Sequence, residues 1–494
     1  MYSHLAALLH SAIRACTFGG LPIAEPINEN IRVDCRSNSI SFLTLESIVH
    51  FPPNRLSTTK RFCTFFGIWL VVSLISNDTT NWGAIPIGIN VRVDRIAYLF
   101  LVATFLYRDR RLIPSCRLIP VEWLMLLFFA ILLISSAVYG TAFVPSNRYI
   151  SKLVSFSLVP CSIFMIARRL TFDAPSLRTL WFTLVLIGAY LGFTGLCEHY
   201  RYDSLVFPSY IMDFTLGIHQ ERTRGPFLQA VVMGGALTLC IIWLLWYHFC
   251  IKRQFITWIV VPLALGSCYY TNTRAVWLQV AAVVAVFAYL KSPLRKFALI
   301  AVTSGVLLFF SGVASKFSAY ETTLFSRRNE QIDDRLNIYH ASWLMFLEKP
   351  LFGFGYGSFE IESFRYFVEM PGVELRGAGE GQHHTILGIM CENGAVGTAT
   401  FFSIYVCFFA ACVRRYRSGL KNSNGDYSLS VAALAILAGN FVSMQFSDFG
   451  FYTFLNNLSY WCMGMVYARI DLSGIAPPPY TGDAPAIIDS EALP

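Results

Sequence analysis

The chain has 494 residues, enough for several soluble domains, but 55% of them are hydrophobic and only 14% charged. A soluble domain carries about 25% charged residues, so there is too little polar side chain to coat several globules in water. This excludes an ordinary cytosolic enzyme, a secreted disulfide scaffold and a disordered regulator. The net charge of +8 comes from short basic clusters between apolar runs, the pattern of membrane orientation and not of one continuous nucleic-acid-binding face. The 13 cysteines fall mostly within apolar stretches and form no paired CxxC set, so neither a zinc site nor a disulfide framework is expected.

The chain opens with a leader, residues 1–61, expected to be cytoplasmic. Its apolar stretch Leu5–Leu9 is broken by His10 and is too short for a signal peptide. A bilayer-crossing helix needs about 20 apolar residues. Twelve runs of roughly that kind start near Phe62, Ile96, Ile119, Tyr149, Thr179, Leu228, Gln254, Ala275, Phe297, Ala395, Ser428 and Phe451. Basic clusters close the even-numbered runs: Arg108, Arg110 and Arg111; Arg168 and Arg169; Lys252 and Arg253; Lys291, Arg295 and Lys296; Arg414, Arg415 and Arg417. The positive-inside rule puts those ends in the cytoplasm. The expected fold class is an all-α polytopic membrane protein of about 12 transmembrane helices. Spans 1–9 occupy residues 62–315, a long outer loop residues 316–393, spans 10–12 residues 394–470, and a disordered cytoplasmic tail residues 471–494.

The span interiors are nearly free of Asp, Glu, Lys and Arg, whereas an ion-coupled transporter keeps such groups near the midplane. Ionisable residues gather at the outer face instead. Arg222 and Arg224 lie in Gln220-Glu-Arg-Thr-Arg-Gly-Pro-Phe227, and Arg274 ends the tight turn Thr271-Asn-Thr-Arg274. Guanidinium groups hold phosphate in bidentate fashion, so these three suit a diphosphate; headgroup anchoring, or pairing of Arg222 with Glu221, is the plain alternative. Arg335 follows Asp333 and Asp334, which favours a salt bridge there over more than a supporting role. Gly353-Phe-Gly-Tyr-Gly357 follows Pro350 and lacks the strand and helix of a dinucleotide loop; it reads as a turn in which backbones pack closely. In Gly381-Gln-His-His-Thr-Ile-Leu-Gly-Ile-Met-Cys-Glu-Asn-Gly394, an imidazole can deprotonate a sugar hydroxyl. Adjacent histidines do not share one helical face, so one of His383 and His384 is expected to act.

These motifs, with Arg335…Trp343…Pro350 to Phe359, resemble the O-antigen ligase/O-antigen polymerase superfamily of bacterial inner-membrane glycosyltransferases. The resemblance runs from about Glu198 to Arg417. It implies a GT-C-like helical enzyme, multi-pass in the inner membrane, that takes glycan from undecaprenyl diphosphate on the periplasmic face and passes it to an acceptor sugar. The acceptor would be a lipid-linked glycan or lipid A core; nucleic acid is not expected as a partner. It implies diphosphate binding by Arg224 and Arg274, joined by Arg222, and a catalytic base at His383, with His384, Arg335 and Glu392 supporting. No cofactor and no metal are expected, and attack from the opposite face would invert the anomeric centre. The chain departs from the family pattern where His-Asn becomes His383-His384 and where Leu228-Gln229 replaces Asn-Pro. Polymerisation of O-antigen or exopolysaccharide repeats is the first reading and ligation to lipid A core the second. A lipid-linked glycan transporter is the alternative of another class.

Overall fold

In the computed structural model, the described residues are 56–76, 84–86, 90–109, 117–139, 152–213, 215–217, 221–291, 323–422, 428–448 and 452–471. The expected leader, the ninth apolar run from Phe297 and the tail lie outside them, apart from residues 56–61 and 471. The chain divides into a first unit, Met1–Thr58, and a second, Thr59–Pro494; all that follows concerns the second.

The fold is all-α. Its helices are α1 (Leu56–Ile75), α2 (Val93–Asp109), α3 (Pro120–Val138), α4 (Val159–Arg169), α5 (Ala174–His199), α6 (Ala230–Trp246) and α7 (Thr257–Tyr270). They continue as α8 (Arg274–Leu290), α9 (Thr323–Glu348), α10 (Thr385–Asn422), α11 (Ser428–Met444) and α12 (Thr453–Tyr467). Four helices among the described residues are long and apolar enough to cross a membrane: Pro120–Val138, Ala174–His199, Ala230–Ile251 and Thr385–Gly419. Thr257–Tyr270, Arg274–Leu290 and Ser428–Met444 are shorter apolar helices.

Local chemistry fixes where these helices begin. Pro120 opens α3, where a missing N–H costs nothing, and Glu122 accepts the Ile119 N–H at 3.0 Å. Asp173 caps α5 by accepting the Ser176 N–H at 3.0 Å. Beyond Glu122, α3 carries no charge.

The basic cluster that ends α4 meets the start of α3. Arg168 donates to Glu122 at 2.9 and 3.1 Å, and Arg169 donates at 2.7 Å. Glu122 is wholly buried, so two cations offset the cost of taking its charge out of water. At the same end Arg415, in the last part of α10, donates to the Met465 and Ala468 carbonyls at the end of α12. A short parallel pairing of residues 171–173 with 469–471 adds to it. The basic clusters of Arg168–Arg169 and Arg415 thus share one end of the bundle, as their spacing in the sequence anticipated.

At the opposite end the chain is irregular and tightly tied. Helix α10 is interrupted at Gly394, whose φ of 61° and ψ of −162° are not helical. The peptide groups freed by the break bond to the chain just after α9. Phe354 N donates to Cys391 O at 3.0 Å and Gly355 N to Glu392 O at 2.7 Å; Ala395 N and Val396 N donate to Pro350 O and Leu351 O at 2.8 and 3.2 Å. A broken helix away from water needs such replacement partners. Gly353 and Gly394 both have positive φ, and a Cβ on either would run into the facing backbone. The glycine-rich loop is therefore a backbone splint for α10, in line with the close packing expected from its sequence. Gly394 thus separates a short helix that starts at Thr385 from the long one that starts at Ala395, where the sequence places the beginning of that span.

Candidate active site

The irregular end brings together the termini of several helices. Thr223 N donates to Tyr270 O at 3.2 Å, which fastens the Arg222–Arg224 segment to the turn before α8. Thr385 Oγ1 donates to Ser447 O at 2.7 Å, fastening the start of α10 to the end of α11. The Tyr339 hydroxyl, on α9, lies 3.4 Å from the His383 carbonyl and 3.3 Å from that of Gln445.

The three arginines expected to bind diphosphate have different surroundings. Arg224 is 1% exposed. Its guanidinium donates to the Leu216 and Ile211 carbonyls at 2.6 and 3.0 Å and lies 3.6 Å from the Glu198 carboxylate. This guanidinium ties together the segment between α5 and α6 and is buried from solvent. Arg222, two residues earlier, is half-buried and lies 3.5 Å from Glu221. Burial, and after it the nearby charge of Arg335, push the Arg222 guanidinium below the usual arginine range, against an opposing effect of Glu221. Arg335, which follows Asp333 and Asp334, is exposed. The structure thus places Arg222 and Arg335 within each other's field. Arg274 is exposed at the first position of α8, where a cation meets the positive end of the helix dipole and an anion is held by both. Its turn joins the Arg222 segment through Thr223 and Tyr270.

The two histidines separate clearly. His383 is 37% exposed at its side chain, with Nε2 3.3 Å from Glu380 Oε2. A carboxylate at this position orients an imidazole. His384 packs edge-on against Tyr339, with ring centroids 5.4 Å apart. Its Nδ1 accepts the Leu387 N–H at 3.3 Å, helping to cap α10. Burial holds its imidazole below the ordinary histidine range.

Glu392 is buried and accepts the Phe359 N–H at 3.1 Å, so it braces the end of the glycine-rich loop. Sequence reasoning missed Glu198, Tyr339, Gln445, Asp448 and Tyr452. The last two lie near this site: Asp448 acts electrostatically on Glu392 and on Tyr452, and Arg335 acts on Tyr452 as well. The one signal for Asp448 was Gln445-Phe-Ser-Asp448, a polar break between two apolar runs. Among the described residues no three of His, Cys, Asp and Glu converge as a metal site requires.

Residues 259–402 match the family model described as O-antigen ligase (Wzy_C). The match supports the O-antigen ligase/polymerase superfamily. The matched stretch contains Arg274, Arg335, His383 and Glu392, and leaves Arg222 and Arg224 outside it. No curated protein matches the chain. The O-antigen ligase family suggests a glycosyltransferase-like enzyme with lipid-linked glycan and acceptor substrates in general, and with the apolar helices it suggests a membrane protein.

Proposed function

We propose that this protein transfers glycan from undecaprenyl diphosphate to an acceptor sugar at the periplasmic face of the bacterial inner membrane, polymerising O-antigen or exopolysaccharide repeat units. The observation that carries the reading is the Arg222–Arg335 pair at the same end of the bundle as the His383–Glu380 pair. Two guanidinium groups in mutual repulsion gain most from a shared dianion. An exposed imidazole oriented by a carboxylate suits proton removal from a hydroxyl.

In this mechanism Arg222 and Arg335, with Arg274 on the dipole of α8, hold the diphosphate and stabilise the charge that grows on it as the glycosidic bond breaks. His383 takes the proton of the acceptor hydroxyl, Glu380 steadies the resulting imidazolium, and the acceptor oxygen attacks the anomeric carbon from the face opposite the leaving group. The configuration inverts and undecaprenyl diphosphate departs. Every step uses side chains of this chain alone. Arg224 acts beneath the site as a strut.

The description of the matched family favours a second reading, ligation of finished polymer to lipid A core. The glycan phenotype of a deletion strain distinguishes the two. Polymerase function predicts acceptors carrying a single repeat; ligase function predicts polymer accumulating on the carrier lipid. An unchanged glycan profile would contradict both.

A further inference from the structure

Beside the His383 loop lies a cavity of about 50 Å³, lined among others by Lys152, Tyr356, Gln382, Thr385, Glu392 and Asp448. Two of its lining residues, Lys152 and Glu360, pair at 3.2 Å. Gln382 and Thr385 flank the two histidines in the chain, so the cavity reaches the segment that carries the proposed base. The Gln382 amide lies over Gly388, so closely that a Cβ there would run into its oxygen. Its nitrogen donates to Cys391 Sγ at 3.0 Å, a weak acceptor.

We infer that this cavity is the subsite for the terminal residue of the acceptor, taking the edge of a neutral hexose through its hydroxyl groups. The lining offers what such an edge needs. The Asp448 carboxylate accepts from a hydroxyl group, the Gln382 amide and the Lys152 ammonium serve the remaining oxygens, and Phe156 and Tyr356 provide an apolar wall. Its volume admits hydroxyl groups and not a whole ring, which leaves the ring at the mouth. The carboxylates also make it a poor place for the diphosphate, which keeps the two substrates apart: anion on the arginines, sugar on the acids. The inference rests on the proposed transferase reading, but sugar binding is measurable without transfer.

The test is saturation-transfer NMR on the full-length protein in nanodiscs free of glycoside detergent, with methyl glucoside, methyl galactoside and methyl mannoside as probes. Enhancement with at least one probe is expected. It should fall roughly tenfold in Asp448→Asn, the scale of one charge-assisted hydrogen bond, at unchanged melting temperature, and persist in Arg335→Ala. Should Asp448→Asn melt early, Gly388→Ala replaces it, since the added methyl displaces the Gln382 amide and should weaken the same signal. No enhancement with any probe, or equal enhancement in wild type and the well-folded variant, overturns the inference. Binding that survives while purified protein transfers no glycan supports the cavity and overturns the proposed reaction instead.

Discussion

The two carboxylate oxygens of Glu198 accept the backbone N–H of Arg224 at 3.1 and 3.0 Å, and one of them also accepts that of Gly225 at 2.8 Å. Glu198 sits at the end of α5 and Arg224 at the mouth of α6, so this contact sets how the connecting segment leaves one helix and enters the next. The Arg224 guanidinium then reaches back to the Ile211 and Leu216 carbonyls. Arg222 is thereby held two residues from a fixed point, within the field of Arg335.

Arg224 and Arg222 should respond differently to the same substitution. Arg224→Lys removes a fork that satisfies two carbonyls in a site 1% exposed, a loss on the order of 2–3 kcal/mol. Differential scanning fluorimetry should show a clear fall in melting temperature. Arg222→Lys should leave melting nearly unchanged and lower glycan transfer by about tenfold or more, because an ammonium does not reproduce bidentate phosphate contact. Equal melting of the two variants would contradict the strut role of Arg224.

Arg335→Ala and Arg222→Ala should be strongly non-additive. If both guanidiniums grip one diphosphate, the second deletion acts on a ligand already loosened, and residues serving one ligand couple by roughly 0.5–3 kcal/mol. A double-mutant cycle on transfer rate checks this. Strict additivity would place the two arginines on separate ligands.

Gly353→Ala should destabilise the protein through the splint across α10. The position has a φ of 69° and faces the Glu392 backbone, so an added methyl opposes both conformation and contact, a cost of about 2 kcal/mol or more. Gly372→Ala is the control: its φ of 75° is similar, but no atom lies near the added methyl. Comparable melting of the two variants would mean that conformation alone, and not the close approach, sets the cost.

His384 predicts a pH dependence. Its imidazole is held below the ordinary value of 6.5 by burial, so the unfolded chain takes up a proton more readily than the folded one. Stability is then complete above about pH 6.5 and declines as pH falls below it, through the depressed folded value. Melting temperature measured between pH 7.5 and 5 should drop, and His384→Gln should flatten that slope while leaving other acid-sensitive groups in place. An identical slope in the variant would remove His384 as its source.

How far the fold was legible in the sequence depends on distance along the chain. Among the described residues helices occupy the apolar runs, and the Arg168–Arg169 and Arg415 clusters share an end, because hydropathy and charge are local properties. Arg224 was not legible as a strut: an arginine before Gly-Pro-Phe looks the same whether it faces a ligand or the carbonyls of Ile211 and Leu216. Its fixing partner Glu198 is 26 residues away across a connecting segment with no regular period. His383 and His384 were separable only in part, since helical geometry says that they diverge but not which one meets Glu380. Asp448 joined the site through the packing of α11 beside α10, which no spacing in the sequence announces.

The central claim, metal-free transfer with His383 as base, is tested most directly by reconstitution. The purified protein in proteoliposomes is supplied with undecaprenyl-diphosphate-linked glycan and acceptor, and release of undecaprenyl diphosphate is followed in EDTA. The account predicts release by the wild type in EDTA and a rate roughly 100-fold lower for His383→Ala, the scale of a lost general base. Undiminished release by His383→Ala, or activity abolished by EDTA and restored by magnesium or manganese, would contradict it.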